Sequence, residues 1–215
     1  MPHPLSLTTP LGRKNVEAVT GVLLLLFLAE HLLSNAMLLL TTPTPYLAYV
    51  DFMGRQWFVR LLEVLLALLF VTHIGVGARM RYHAWRLRRK RPGIPPPRSI
   101  TTRFVGLTGA AIFIFLLLHL ARFVIPHRAY MAQVNLYDDA HLAFASLPYT
   151  LFYVASMAAL GMHLFHGIGS AVVSFPSLPR QRVPALRTLA RWTAVVVSTG
   201  LAAIAAALYV RSLLQ

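Results

Sequence analysis

The sequence predicts an all-α membrane protein: five transmembrane helices in one domain spanning 1–215, with the N-terminus cytoplasmic and the C-terminus outside. Three observations predict it. The chain is 57% hydrophobic and 12% charged with a mean hydropathy of +0.64, whereas a soluble domain is roughly half apolar and roughly a quarter charged. Its apolar residues gather into five long runs separated by proline-bearing segments. Its basic residues are spread unevenly over the connections between those runs.

The runs lie at about 16–40, 57–82, 104–125, 148–174 and 190–210. Each has about the 20 residues that cross a bilayer as a helix. The first follows a polar stretch and leads to no small-residue cleavage motif, so it is expected to be a retained helix rather than a signal peptide. The second follows "TTPTP" at 41–45 and the third follows "RPGIPPPR" at 91–98. Pro126 closes the third, and "FPSLPRQRVP" at 175–184 separates the fourth from the fifth. The fifth, rich in Ala and Val with Gly200, reads as a packing helix. No internal repeat and no low-complexity tract is visible.

Orientation follows from Lys and Arg. Fifteen of them lie in the N-terminal segment, the second-to-third connection and the fourth-to-fifth connection, and five lie on the other side: Arg55, Arg60, Arg122, Arg128 and Arg211. The positive-inside rule puts the richer side in the cytoplasm. The formal charge of +14 therefore marks topology, and no nucleic-acid partner is expected. The basic run at 86–91 reads either as a solvated loop or as a docking surface for an acidic partner or anionic lipid.

The chain has no cysteine, which removes disulfides, thiolate clusters, thiolate zinc sites and covalent C-x-x-C-H haem attachment. A metal here must use His, Met or carboxylate. Four of the five runs carry histidine: His31, His73, His119, and the pair His163 and His166. Intramembrane ionisable residues are rare and mark functional paths. Taken one at a time, each is also explained as a hydrogen-bonded interior ring.

Depth sorts them. His31 lies 14 residues past Glu17 and His119 lies 15 past Phe104, about 21 and 22 Å along their axes. The second and fourth helices run the other way, and His73, His163 and His166 stand roughly 9–16 Å from their inner ends. Two levels of histidine on alternate helices is the pattern required by bis-histidine ligation of two haems in a four-helix bundle. Gly77 follows His73 by four residues, and Gly167 follows His163 by four. Each puts a missing side chain on the histidine's own face, where a flat macrocycle can lie or a neighbouring helix can pack. Ser34 and Asn35, three and four residues past His31, are placed to serve its second ring nitrogen. Helical geometry does not separate His163 from His166.

"FLAEHLLSN", "VTHIGVGARM", "FLLLHLARF" and "GMHLFHGIGS" occur in this order in four consecutive runs, with a plain fifth run after them. Together they resemble the single-subunit dihaem cytochrome b anchor of succinate:quinone oxidoreductases and fumarate reductases, over about 16–210. The resemblance implies two haem b groups, flavoprotein and iron–sulfur subunits on the cytoplasmic face, and electron transfer between the iron–sulfur subunit and a membrane quinone, expected to be menaquinone. It implies the bacterial cytoplasmic membrane as location and a quinone-reactive subunit that carries no succinate site. Carried over by residue, His31 and His119 ligate the outer haem, and His73 and His163 the inner one. His163 is favoured over His166 because the family's ligand stands four residues before a glycine, a spacing that His73 and Gly77 repeat within this chain. His166 is then expected near a propionate of the inner haem or a neighbouring helix. Some fumarate-reductase members have a glutamate two residues before the fourth-helix ligand. This chain has Gly161 there, which puts that proton route in doubt.

Arg79 and Arg81 are placed either to neutralise propionates of the inner haem or to snorkel to the interface. Quinone chemistry needs a proton donor or acceptor, and the carboxylates at the outer level are Glu63 and Glu30. Glu63 is the expected quinone-site residue, and an internal ion pair with Arg122 or Arg60 is its alternative role. Two rival functions fit the same pattern less closely. A histidine-lined proton-coupled transporter would not require paired depths, and the cytochrome b subunit of a formate dehydrogenase or hydrogenase should distribute its ligands differently among the helices.

Overall fold

The computed structural model describes residues 6–91, 93, 95, 99–129, 135–174 and 179–214. Among them there is no strand. Five segments are long and apolar enough to cross a membrane: Pro10–Leu40, Trp57–Lys90, Ile100–Ala129, Leu147–Val172 and Arg180–Leu213. The helices are α1 (Pro10–Leu40), α2 (Pro43–Arg55), α3 (Trp57–Lys90), α4 (Ile100–His119), α5 (Ile125–Ala129), α6 (Leu136–Phe144), α7 (Leu147–Val172) and α8 (Val183–Leu213). A π-helical turn, Leu120–Val124, joins α4 to α5.

Four expected boundaries move outward at one end of the bundle, the smallest shift being the start of α4 at Ile100 rather than 104. α1 starts at Pro10 rather than 16, α3 runs to Lys90 rather than 82, and α8 starts at Val183 rather than 190. Hydropathy marks where hydrocarbon ends, whereas Arg and Lys are good helix formers that carry a helix on into water. The whole of 83–90, expected within a connection, is therefore helix. The first helix is capped by Thr9, whose hydroxyl accepts from the Gly12 N–H, and Pro10 occupies the first turn, where its missing N–H costs nothing.

Pro126 does not close the third span. A proline ring clashes with the carbonyl four residues back, here that of Arg122, and lacks the N–H that would bond it. The π turn widens the helix just there, with Ile125 N–H reaching Leu120 O, and the helix continues to Ala129.

Two short helices were not expected. α2 follows Thr42 with Pro43 at its first position, so "TTPTP" starts a helix as well as ending one. α6 is capped by Asn135, whose side chain accepts from the N–H groups of Tyr137 and Asp138, and two aspartates occupy its first turn. Both are too short to span. They meet across the end of the bundle opposite the basic end, with Tyr46 against Tyr137 at 5.7 Å between ring centroids, and the Tyr137 hydroxyl donates to Thr41 O at 3.4 Å.

Contacts between helices fix the topology. Thr20 meets His73, Phe27 meets Phe70, and Arg81 reaches Thr102 while Arg128 pairs with Glu63. Thr102 meets His166 and Tyr153 meets His119. α1, α3, α4 and α7 are thus each antiparallel to the next. α1 packs on α3, α7 and α8, α7 packs on α4 and α8, and α3 and α4 scarcely touch. Small residues bring α8 close: a Cβ at Gly161 would lie 2.7 Å from Ser198 Oγ, and one at Gly200 would lie 2.9 Å from Leu32 Cδ1. Ala194, Val197, Ala205 and Leu208 are buried there. Close backbone approach through small side chains is how membrane helices gain packing where lipid removes the hydrophobic drive. α8 is a packing helix, as expected.

Candidate functional site

The antiparallel register brings the histidines together in two pairs. His31 of α1 faces His119 of α4 with ring centroids 5.8 Å apart and planes at 86°. His73 of α3 faces His163 of α7 at 6.2 Å and 74°. Thr20 marks the second level on α1, and His31 lies 11 residues further on, so the levels are about 16 Å apart along the axis. Phe27 lies between them, stacked under His31 at 5.3 Å and edge-on to Phe70 at 6.5 Å. Phe115 does the same under His119, at 5.6 Å.

The second ring nitrogen of three of these histidines meets a hydroxyl on a neighbouring helix. Thr20 Oγ1 donates its proton to Val16 O at 2.8 Å and lies 3.0 Å from His73 Nδ1. Thr108 Oγ1 donates to Val105 O at 3.2 Å and lies 3.5 Å from His163 Nδ1. A threonine whose proton goes to its own helix offers only lone pairs, so each ring donates from Nδ1 and keeps Nε2 unprotonated. That is the tautomer of a metal-ligating imidazole. Tyr153 OH stands 3.0 Å from His119 Nδ1 and takes a further hydrogen bond from Tyr149 OH at 3.0 Å.

Two glycines make room for the rings. A Cβ at Gly21 would lie 3.3 Å from His73 Cε1, and one at Gly109 would lie 3.4 Å from His163 Cε1. Thr20–Gly21 on α1 and Thr108–Gly109 on α4 therefore do the same work for the two halves of one pair. The likeness extends further. Thr, Gly, Phe and His recur at 20, 21, 27 and 31 and again at 108, 109, 115 and 119, a constant offset of 88. The chain thus carries an internal repeat that sequence reading missed. Only five of twelve positions match, Leu28 and Leu116 being the fifth, and apart from Glu30 the rest are interchangeable apolar residues.

The other expected residues fall as follows. His166 does not face His73: its Nδ1 lies 3.3 Å from Thr102 Oγ1 on α4. Arg81 crosses to the same place, with Nη1 donating to Thr102 O at 3.3 Å and Nε 3.1 Å from the Cβ position of Gly106. Arg79 points elsewhere, into a groove of about 280 Å³ shared with Arg13, Thr72 and Gly75. Nothing lies within 4 Å of a Cβ at Gly167, whereas at Gly77 the carboxylate of Glu17 lies 2.8 Å away. Glu17 Oε1 is also 3.6 Å from His73 Nε2. Ser34 and Asn35 bond the backbone carbonyl of His31 rather than its ring. Glu63 forms an ion pair with Arg128, a partner the sequence did not suggest. Arg122 instead holds Asp139 of α6 through two bonds of 2.6 Å. Glu30 is exposed and accepts from Tyr49 at 3.4 Å.

These distances test what each pair can hold. A metal–imidazole bond is about 2 Å and the ring centre lies about 1 Å beyond the bonded nitrogen, so two imidazoles on opposite sides of one ion stand about 6 Å apart. The observed 5.8 and 6.2 Å fit. Among the described residues no group of three or more His, Cys, Asp or Glu gathers, so a bare ion has too few donors. A porphyrin iron needs only the two axial ligands from the protein. The Cβ position of Gly167 is open, and that of Gly77 is met by the flexible end of Glu17, which would have to swing aside for a macrocycle to lie there. No family model, curated protein or solved structure matches this chain.

Proposed function

We propose that the chain is the membrane-anchor dihaem cytochrome b subunit of a succinate:quinone oxidoreductase, in the succinate dehydrogenase or fumarate reductase sense. It passes electrons between a cytoplasmic iron–sulfur subunit and a membrane quinone. The observation that carries this reading is the pair of cross-bundle histidine couples, each at the separation that one six-coordinate iron requires. Bound there, haem supplies one-electron chemistry at two depths of the membrane. His31 and His119 hold one group, and His73 and His163 the other.

The chain's own residues then set the conditions. Thr20 and Thr108 keep the proton of each ring on Nδ1, which orients the imidazole and raises its basicity as a ligand. Tyr153 OH meets Nδ1 of His119 and holds that ring in place. Phe27, Phe70 and Phe115 fill the space between the levels and exclude water. His166 and Arg81 stand at the basic end of the lower couple, suited to binding propionates. The basic end, facing the cytoplasm by the positive-inside rule, presents Arg86, Arg88, Arg89 and Lys90 on the protruding end of α3 to the iron–sulfur and flavoprotein subunits.

Haem quantitation with a reduced-minus-oxidised spectrum tests the reading. Two non-covalent protohaems per polypeptide and a b-type difference spectrum are expected. A colourless preparation from haem-replete cells contradicts it, and points to a histidine-lined transporter instead.

A further inference from the structure

Toward the basic end of the bundle, the groove of about 280 Å³ lies between the start of α1 and the middle of α3. Two arginines, Arg13 and Arg79, line it, and Leu7, Val71 and Val76 supply apolar walls. The geometry points to this groove as a binding site for an anionic phospholipid, with the phosphate between the two guanidinium groups and the glycerol and first acyl carbons along α3. The site goes beyond the proposed function and does not rest on the dihaem reading.

Charge selects the ligand. Arg13 Nη1 donates to the backbone carbonyls of Leu7 and Thr8 at 3.1 and 3.2 Å, which holds the guanidinium in place without neutralising it and leaves its Nε and Nη2 donors. Arg79 makes no ion pair or hydrogen bond among the described residues. Arg55, Arg122 and Arg128, by contrast, each pair with a carboxylate. The chain has six acidic residues, and the one nearest this groove, Glu17, turns inward, with Oε1 3.6 Å from His73 Nε2. No carboxylate lines the groove. A phosphodiester therefore meets two uncompensated cations, and a headgroup ammonium meets no counter-charge. That favours a phospholipid with an uncharged headgroup alcohol, such as phosphatidylglycerol, over phosphatidylcholine.

Position supports the same ligand. Val71 lies eight residues deeper on α3 than Arg79, about 12 Å along the axis, so the groove leads from the charged end toward hydrocarbon. Gly75, between them, is exposed, and a Cβ there would meet nothing within 4 Å. Its missing side chain leaves a notch in the outer face of α3, one turn in from Arg79, where a glycerol backbone can rest. Thr72 brings a hydroxyl to the groove at the next turn, suited to donate to an ester oxygen. An arginine that only snorkels ends in water, whereas Arg79 lines a groove beside a second cation. The positive-inside rule puts this end against the cytoplasmic leaflet, whose anionic lipids attract basic residues.

The test is photolabelling of the full chain, with the subunits that copurify with it, in phosphatidylcholine vesicles holding a small share of phosphatidylglycerol that carries a diazirine near the start of one acyl chain. Adducts mapped by mass spectrometry are expected on 7–13 or 71–79. Excess unlabelled phosphatidylglycerol should suppress them, and excess phosphatidylcholine should not. Arg13→Gln and Arg79→Gln should each lower labelling about fivefold, the effect of one basic residue at an anionic surface. Arg79→Lys should keep most of it, and Arg55→Gln should leave it unchanged. Gly75→Leu fills the notch with both charges intact and should lower labelling severalfold. Equal suppression by phosphatidylcholine makes the groove an ordinary lipid contact and overturns the proposal. Suppression by inorganic phosphate in the buffer makes it a site for a free anion, and adducts that appear only after the other subunits are stripped away make it a subunit interface. Either result also overturns it. The competition on the native chain needs no variant and no haem, so the lipid site and the dihaem reading fail separately.

Discussion

His163, and not His166, faces His73 across the bundle, with ring centroids 6.2 Å apart. The two histidines of α7 are one turn apart, yet they meet different partners on α4: Thr108 beside His163 and Thr102 beside His166. One ring therefore lies opposite another imidazole, and the other lies against a hydroxyl and Arg81. On the proposed dihaem reading this makes His163 the ligand and His166 a supporting residue, and the two substitutions should differ in kind. His163→Ala should abolish the low-spin spectrum of the haem at the basic end. His166→Ala should keep that haem and weaken its binding by about 10–100-fold or shift its potential. Spectra of the two purified variants decide it, and the reverse pattern moves the ligand to His166.

Threonine hydroxyls fix the tautomer of that couple. Thr20→Val and Thr108→Val remove the acceptor of Nδ1–H and leave shape nearly unchanged. Each should weaken haem retention at the basic-end level by about 10–100-fold, measured by transfer to an apo-haem acceptor. Thr→Ser at either position should restore most of it. Equal loss from Ser and Val would assign the threonines to packing.

Close approach of α8 predicts a stability effect separate from the haem levels. Gly161→Val and Gly200→Val insert atoms where Ser198 and Leu32 already stand. Overpacking of this kind costs about 1–3 kcal/mol. The melting midpoint in detergent should fall for both, with the difference spectrum unaltered before the transition. Unchanged midpoints would show that α8 relaxes away freely.

Replacing Arg86, Arg88 and Arg89 with Gln tests the protruding end of α3. If it docks acidic partner subunits, the native complex should lose them as salt rises, since screening shortens the reach of exposed charge. The variant should already be depleted at low salt and show little further salt dependence. Native and variant complexes with the same retention at every salt concentration would leave the charges a topological role alone.

Much of this architecture was legible in the sequence, because hydrocarbon imposes length and composition on a spanning helix. The five spans and the histidine levels follow from runs and rise alone. What was missed has a common cause. α2 and α6 are short helices with polar residues that lie across one end, where neither constraint applies. The π turn answers a clash that Pro126 creates, and such a turn leaves no periodic trace. The threonine–glycine steps at 20–21 and 108–109 act across helices, so their meaning depended on knowing which helix stood opposite. A readable signal was nonetheless present, since the spacing from Thr-Gly to His is the same in both spans. Glu17 was used only as a depth marker, and its contact with His73 requires the α1–α3 register.

The central claim is that four histidines act as two couples, His31 with His119 and His73 with His163. Haem content and reduced-minus-oxidised spectra of the four single His→Ala variants test it most directly. His31→Ala and His119→Ala should each remove the same spectral component and spare the other. His73→Ala and His163→Ala should remove the second component and spare the first. If His31→Ala and His73→Ala remove the same component, or if all four variants keep two haems per chain, the couples are not ligand pairs and the account fails.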